Sequence, residues 1–374
     1  MTLRNLVKTS YSLSDVVPLL QDLEGKVEIL DTAEREKRIQ SGTHYSEMLP
    51  LEYKPTAEYM KIYDEALSEL SYETAVAVAI LAEKLYELKG RDMVIVSLAR
   101  AGTPIGILVR RYLLNKYDFD VPHYTISIIR GKGFDKCAMC YLLSMYRAEQ
   151  LQFLDGWVGK GAINTVLKNA VDELLNSELN ADGKVEGLSS ELAVLSDPAY
   201  VTDLCGTHAD FLIPSACLNA TVSGLISRTV KLPNMTDDEL HGAVYYKDYE
   251  DVDKSIEFIN EVSKHFGNLT DKDFTIFEKT VSNGQGRVDL DNVMKDYNMT
   301  DINLVKPGVG ETTRVLLRRV PEVILIREGA TKDARQAKYL QHILRLAEEK
   351  NVPVKEYPLV AYSVIGVIKQ LGDI

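Results

Sequence analysis

The stretch Leu151-Gln-Phe-Leu-Asp-Gly-Trp-Val-Gly-Lys-Gly-Ala162 decides the fold. Mostly apolar residues lead into a carboxylate, Asp155, and three glycines (Gly156, Gly159 and Gly161) precede helical periodicity from Ala162 to Leu179. That order predicts a buried strand, a phosphate-sized loop and a helix N-terminus, which together offer backbone N–H groups to an anion. Asp155 then falls at the carboxyl end of the strand, where open α/β sheets bind their ligands. The glycines permit close backbone approach and positive φ, and Lys160 adds a point charge. The loop is not a Walker A sequence, because Gly-Ala rather than Ser or Thr follows Lys160.

Upstream, Met93 to Leu98 reads as a second buried strand, followed by Ala99-Arg-Ala-Gly-Thr-Pro and a helical Ile105 to Leu114. His123 to Ile129 alternates as a strand and runs into Arg130-Gly-Lys-Gly, a basic loop. Residues 57 to 89 carry helical spacing without a proline and predict one or two helices. Leu192 to Leu195 predicts another strand, and Phe211 to Ile213 one more, before the small-residue segment that begins at Pro214. Strands alternating with helices make a doubly wound, mainly parallel α/β sheet. Residues 266 to 302 are polar and predict a linker or helical connector. From Asn303 to Ile374 the pattern restarts as a small α/β unit: a Gly-rich turn, a helix near Glu311 to Arg319, a strand at Val323 to Arg327, a helix near Arg335 to Lys350, a strand near Pro353 to Tyr357 and an apolar tail. The expected organisation is thus an arm (1–40), a main domain (41–265), a connector (266–302) and a C-terminal domain (303–374).

The formal charge of −12 is unevenly placed, with 12 Lys and Arg against 9 Asp and Glu from residue 301 onward and an acidic remainder. A polyanion is therefore expected, if anywhere, at the C-terminal end. The sequence has no signal-peptide pattern at Met1 to Asp15 and no run of eighteen apolar residues, so a cytoplasmic protein without membrane attachment is expected. The four cysteines are Cys137, Cys140, Cys205 and Cys217. Cys137 and Cys140 form a CxxC without a second pair for zinc, in a run that reads as helical, and are taken as buried structural residues.

Several long motifs resemble a known family. Leu154-Asp-Gly-Trp-Val-Gly-Lys-Gly is similar to the phosphoribosyl-pyrophosphate loop of type I phosphoribosyltransferases, and Ser97-Leu-Ala-Arg-Ala-Gly-Thr-Pro to their pyrophosphate loop. Together with Ser41 to Pro50, Pro122 to Gly131 and Phe211 to Gly224, they resemble the phosphoribosyltransferase-like proteins of bacterial tellurite-resistance gene clusters, a stress-response family often named cysteine protease StiP. Asn303-Leu-Val-Lys-Pro-Gly-Val-Gly-Glu-Thr-Thr-Arg resembles that family's Pelota-type (L7Ae-like) RNA-binding domain. The resemblance implies a phosphoribosyltransferase acting on phosphoribosyl pyrophosphate and a nucleobase-like acceptor, with Mg2+ on the pyrophosphate and no direct protein metal ligand. It assigns Asp155, Gly156, Trp157, Val158, Gly159, Lys160, Gly161 and Ala162 to the sugar phosphate, with Asp155 on the ribose. It assigns Ala99, Arg100, Ala101 and Gly102 to the pyrophosphate, and Arg130 and Lys132 to a closing loop. Acceptor specificity would lie in a hood from residues 40 to 60 and 198 to 245. In the C-terminal unit it assigns structured RNA to Lys306, Gly308, Gly310, Glu311, Thr313, Arg314 and Arg318. A homodimer is compatible with the same resemblance.

The inherited family name implies a rival, a cysteine hydrolase. Cys217 is the nucleophile this reading selects, with His208, His44 or His241 as its base. A third expectation is a non-catalytic RNA-binding module.

Overall fold

The computed structural model describes residues 5–369; the extreme ends of the expected arm and C-terminal unit (1–4 and 370–374) lie outside the described residues. Six parallel strands form the main sheet: β1 (Val17–Pro18), β2 (Val94–Leu98), β3 (His123–Ile126), β4 (Leu151–Trp157), β5 (Ala193–Ser196) and β6 (Cys205–Thr207). Their spatial order is β1-β3-β2-β4-β5-β6. Strands β2 and β5 are buried along their whole length, as expected where helices cover both faces of a parallel sheet.

The helices in chain order are α1 (Thr32–Gln40), α2 (Ala57–Lys89), α3 (Gly102–Tyr117), α4 (Lys136–Met145), α5 (Ala162–Leu175), α6 (Ser255–Ser263), α7 (Gln285–Asp296), α8 (Gly308–Arg318) and α9 (Ala334–Glu349). Apolar residues of α2, α3 and α6 share one core cluster, and those of α4 and α5 share the other, on opposite faces of the sheet. Two glycines set how closely helix and strand approach. A Cβ on Gly102 would lie 2.4 Å from the Leu154 carbonyl oxygen, and one on Gly206 2.2 Å from that of Ala77. Helix α3 therefore rests on β4, and α2 on β6, at backbone contact.

A second sheet holds β7 (Val305–Pro307), β8 (Val323–Arg327), β9 (Val354–Tyr357) and β10 (Val364–Val367), in the order β7-β10-β8-β9. β10 is antiparallel to both its neighbours, and β8 and β9 are parallel. Helices α8 and α9 cover one face and join the apolar cluster of α2 and α3; α7, from the expected connector, places Leu290 and Val293 with Val305, Val323 and Leu325 on the other.

Several elements differ from the sequence reading. Residues 57–89 form one 33-residue helix, because no glycine or proline interrupts its apolar face. Strand β4 runs past Asp155 to Trp157, since Trp157 still pairs with Ser196 of β5. Helix α5 stops at Leu175, with Asn176 as its C-cap, four residues short of Leu179. Phe211 to Ile213 is not a strand; the sheet's last strand is Cys205–Thr207. The apolar tail supplies β10, a central strand.

Candidate active site

The two glycine-rich turns lie side by side at the carboxyl edge of the main sheet. Asp155 is half-buried and accepts a hydrogen bond from the Gly156 N–H at 2.8 Å. Burial pushes its carboxyl up to about 7, only partly offset by that bond. A Cβ on Gly156 would come within 3.1 Å of the Ala101 carbonyl oxygen, so the two turns touch each other. Arg100 is already engaged on one side. Its Nη1 donates to Glu52 Oε2 at 2.9 Å and to the Ile226 carbonyl at 3.2 Å. In the basic loop, the Arg130 N–H donates to the Tyr45 hydroxyl at 2.9 Å and Lys132 pairs with Glu47 at 2.9 Å.

The C-terminal unit closes over the glycine loop. Glu311 stands where a Cβ on Gly159 would meet its Oε1 at 2.7 Å, and the Tyr362 hydroxyl donates to the Gly159 carbonyl at 2.7 Å. Lys160 Nζ donates to the Ile302 carbonyl at 3.0 Å. The space left between Trp157, Gly159, Asp210, Gly310 and Glu311 is about 20 Å³, room for roughly one water. The α8 terminus is likewise engaged. The Val309 N–H donates to Asp210 Oδ1 at 2.7 Å, and Gly308, at φ +82, packs against the same carboxylate. Thr313 is buried, sharing a 2.7 Å hydrogen bond with His342 Nε2. Arg314 is half-buried and donates to Asn219 Oδ1 at 2.6 Å, Lys306 is half-buried, and Arg318 is exposed.

Neighbouring strands create a different constellation. Parallel pairing sets Ser196 beside Thr207, so the residues that follow, Asp197 and His208, meet beyond the sheet edge. The Asp197 carboxylate accepts N–H groups from Ala199, Val201 and Thr202 at 3.1, 2.6 and 2.7 Å, and these fix the turn. His208 Nδ1 lies 2.7 Å from the Asp197 carbonyl oxygen, which makes Nδ1 the protonated nitrogen and leaves Nε2 as an acceptor. Nε2 faces Cys205 Sγ at 3.6 Å. The Asp197 carboxylate is 3.8 Å from Nδ1. Burial pushes the Cys205 thiol up to about 12, so at rest the sulfur keeps its proton. Tyr200 stacks flat on the imidazole, with ring centroids 4.3 Å apart.

His208 opens onto a cavity of about 400 Å³ between the two units, within the range of small-molecule and side-chain sites. Tyr200 and Ala209 line it from the main sheet's side; Phe277, Arg327, Arg335 and Tyr339 line it from the connector and C-terminal unit. Cys217, the nucleophile selected from sequence, lies in the apolar cluster with Tyr63 and Leu218. Burial pushes its thiol up to about 12, and among the described residues it has no histidine partner. His44 bonds Ser46 and His241 bonds Ser127, both through Nδ1. Sequence spacing did not single out Cys205. On a strand, residues three apart point to opposite faces, and the contact exists because His208 lies past the strand end and its ring turns back.

Residues 9–263 match the family described as tellurite-like stress resistance cysteine protease StiP, and residues 284–370 match the PELOTA RNA binding domain. The chain is 32% identical to "Cysteine protease StiP" of Acinetobacter baylyi (strain ATCC 33305 / BD413 / ADP1), over 97% of this chain and 94% of that protein. No solved structure matches. The second match begins at α7, the helix that covers one face of the C-terminal sheet. These matches correct the expectation of a phosphoribosyltransferase using phosphoribosyl pyrophosphate: family and relative are both named for cysteine protease activity. The geometry gives the physical reason, since Glu311 places a carboxylate against the loop meant for a phosphate and about 20 Å³ remains there. Mg2+ enters that expectation only as the chelate of the pyrophosphate, and among the described residues no three His, Cys, Asp or Glu side chains are gathered to hold a metal. No helix among the described residues is long and apolar enough to cross a membrane.

Proposed function

The chain belongs to the family of tellurite-like stress resistance cysteine proteases, and on that premise we propose that it is a cysteine hydrolase of peptide-like bonds whose nucleophile is Cys205 and whose base is His208. The single observation that carries this assignment is the 3.6 Å contact between Cys205 Sγ and His208 Nε2, with Nδ1 anchored on the Asp197 carbonyl. The arrangement follows the general logic of an activated nucleophile, a base and a third group orienting the base.

Because the thiol is held protonated by burial, the proton moves as the attack occurs. Sγ forms a bond to the substrate carbonyl carbon while its proton passes to Nε2. The imidazolium so formed is stabilised by the Asp197 carbonyl at Nδ1 and by the carboxylate 3.8 Å away. Nε2 then returns the proton to the leaving amine as the carbon–nitrogen bond breaks, leaving a thioester on Cys205. Water, deprotonated by His208, cleaves the thioester and restores the thiol. The cavity beside His208, with aromatic walls from Tyr200, Phe277 and Tyr339, is where a substrate chain would lie; Cys205 itself is buried behind His208 and does not line it.

A peptide-based thiol-directed electrophile tests the assignment at neutral pH. Labelling is expected at Cys205, with His208→Ala lowering its rate tenfold or more and Cys217→Ala leaving it unchanged. Labelling that maps to Cys217, or that survives His208→Ala intact, would overturn it.

A further inference from the structure

Five arginines from both units meet around residues 219–228. Asn219 holds Arg314 of α8, and the Ala220 N–H donates to Glu52 Oε1 at 2.7 Å while Glu52 Oε2 holds Arg100. The Ile226 carbonyl accepts from Arg100 as well. Two residues on, Arg228 is half-buried, lies 5.0 Å over the ring of Tyr45, and has no carboxylate partner among the described residues. Arg35, on α1, has a buried Nε with no hydrogen-bond partner. At the open end, Arg318 donates from Nε to the Tyr59 hydroxyl at 3.0 Å. Glu52 and Glu311 are the carboxylates within this group, and Glu52 is already paired with Arg100.

Crowding five guanidinium groups around two carboxylates is unfavourable, since each loses hydration and repels its neighbours. The cost is visible locally: burial, Arg35 and Arg100 lower the pKa of Arg228, and burial, Arg318 and Arg100 lower that of Arg314 to about 10. In a chain of net charge −12, such a row is best accounted for by an anion that binds along it. Guanidinium forks suit phosphate oxygens bidentately. Tyr53, next in the chain to Glu52, is 74% exposed, and an exposed aromatic close to cations is the arrangement that stacks unpaired bases. The α8 terminus, by contrast, is not free for an isolated phosphate, because the Asp210 carboxylate already takes the Val309 N–H.

We propose that Arg318, Arg314, Arg100, Arg228 and Arg35 form one groove for the phosphate backbone of single-stranded RNA, running from the C-terminal unit onto the main domain. The RNA site is then not confined to the segment that matches an RNA-binding family, and the main domain supplies much of its charge. The inference is independent of the thiol chemistry and can be tested in the Cys205→Ala protein.

Fluorescence anisotropy with a labelled single-stranded RNA of about twenty nucleotides, on the full chain, gives the test. Arg228→Glu and Arg35→Glu should each weaken binding tenfold or more and lower the slope of log K against log salt by about one. Arg228→Lys should stay within about threefold of the parent, which separates lost charge from lost folding. Arg318→Glu, at an exposed position, should weaken binding without any change in melting temperature. Full binding by both main-domain variants would overturn the proposal, as would tripolyphosphate binding with no RNA binding, which would make this a small-anion pocket.

Discussion

At Asp155, burial outweighs hydrogen bonding: one backbone N–H faces the carboxylate, and the group is pushed up to about 7 from an ordinary value of about 3.9. The folded chain therefore binds more protons than the unfolded chain between about pH 4 and pH 7. Its stability falls as pH rises through that window, and the loss is complete above it. Asp155→Asn removes the buried charge and keeps an acceptor for Gly156. The variant should melt a few degrees higher than the parent at pH 8 and together with it only below about pH 4. Melting curves at the two pH values check this, and an unchanged or lower midpoint at pH 8 counts against a buried, ionised Asp155. The residue was legible in the sequence as a special carboxylate at a strand end. Its surroundings were not, because Glu311, Tyr362 and Ile302, which close the loop, lie about 150 to 200 residues away in the chain.

Among the elements, the short strand β6 carries the candidate nucleophile. Three residues are too few for a period of two to register, and the equally short but wholly apolar Phe211 to Ile213 read as the strand instead. By contrast β4, α3 and the C-terminal helix–strand alternation were legible, because each is long enough for its burial pattern to repeat. What holds β6 is α2, in backbone contact at Gly206. A Cβ there would stand 2.2 Å from the Ala77 carbonyl oxygen and 2.8 Å from that of Leu195, and neither backbone can yield locally. Gly206→Ala should cost about 2–4 kcal/mol of stability through overpacking. It should also slow Cys205 labelling, since the residue sits between the thiol and the histidine strand end. Denaturant unfolding read beside labelling decides it; a loss of labelling without any loss of stability would mean that the glycine serves something other than packing.

In the whole molecule, the two units are packed as one body along α2 and the glycine loop. Arg345 pairs with Glu65, Lys338 with Glu73, and Gln341 bonds Glu69, all on one side of α2. Half-exposed pairs of this kind contribute at most about 1 kcal/mol each, so the docking depends more on the buried contacts at Asp210, Tyr362 and Glu311. The same docking builds the cavity beside His208 from both units and leaves the glycine loop no space for a phosphorylated sugar. A double-mutant cycle isolates the contact at the loop. Gly159→Ala introduces a Cβ at 2.7 Å from Glu311 Oε1, a mobile side-chain end that can retreat at moderate cost. In the parent the substitution should cost about 1–2 kcal/mol, whereas in the Glu311→Ala background, with the carboxylate gone, the cost should fall to near zero. Equal costs in both backgrounds would place Glu311 away from the loop and reopen the space that the packed structure denies to an anion.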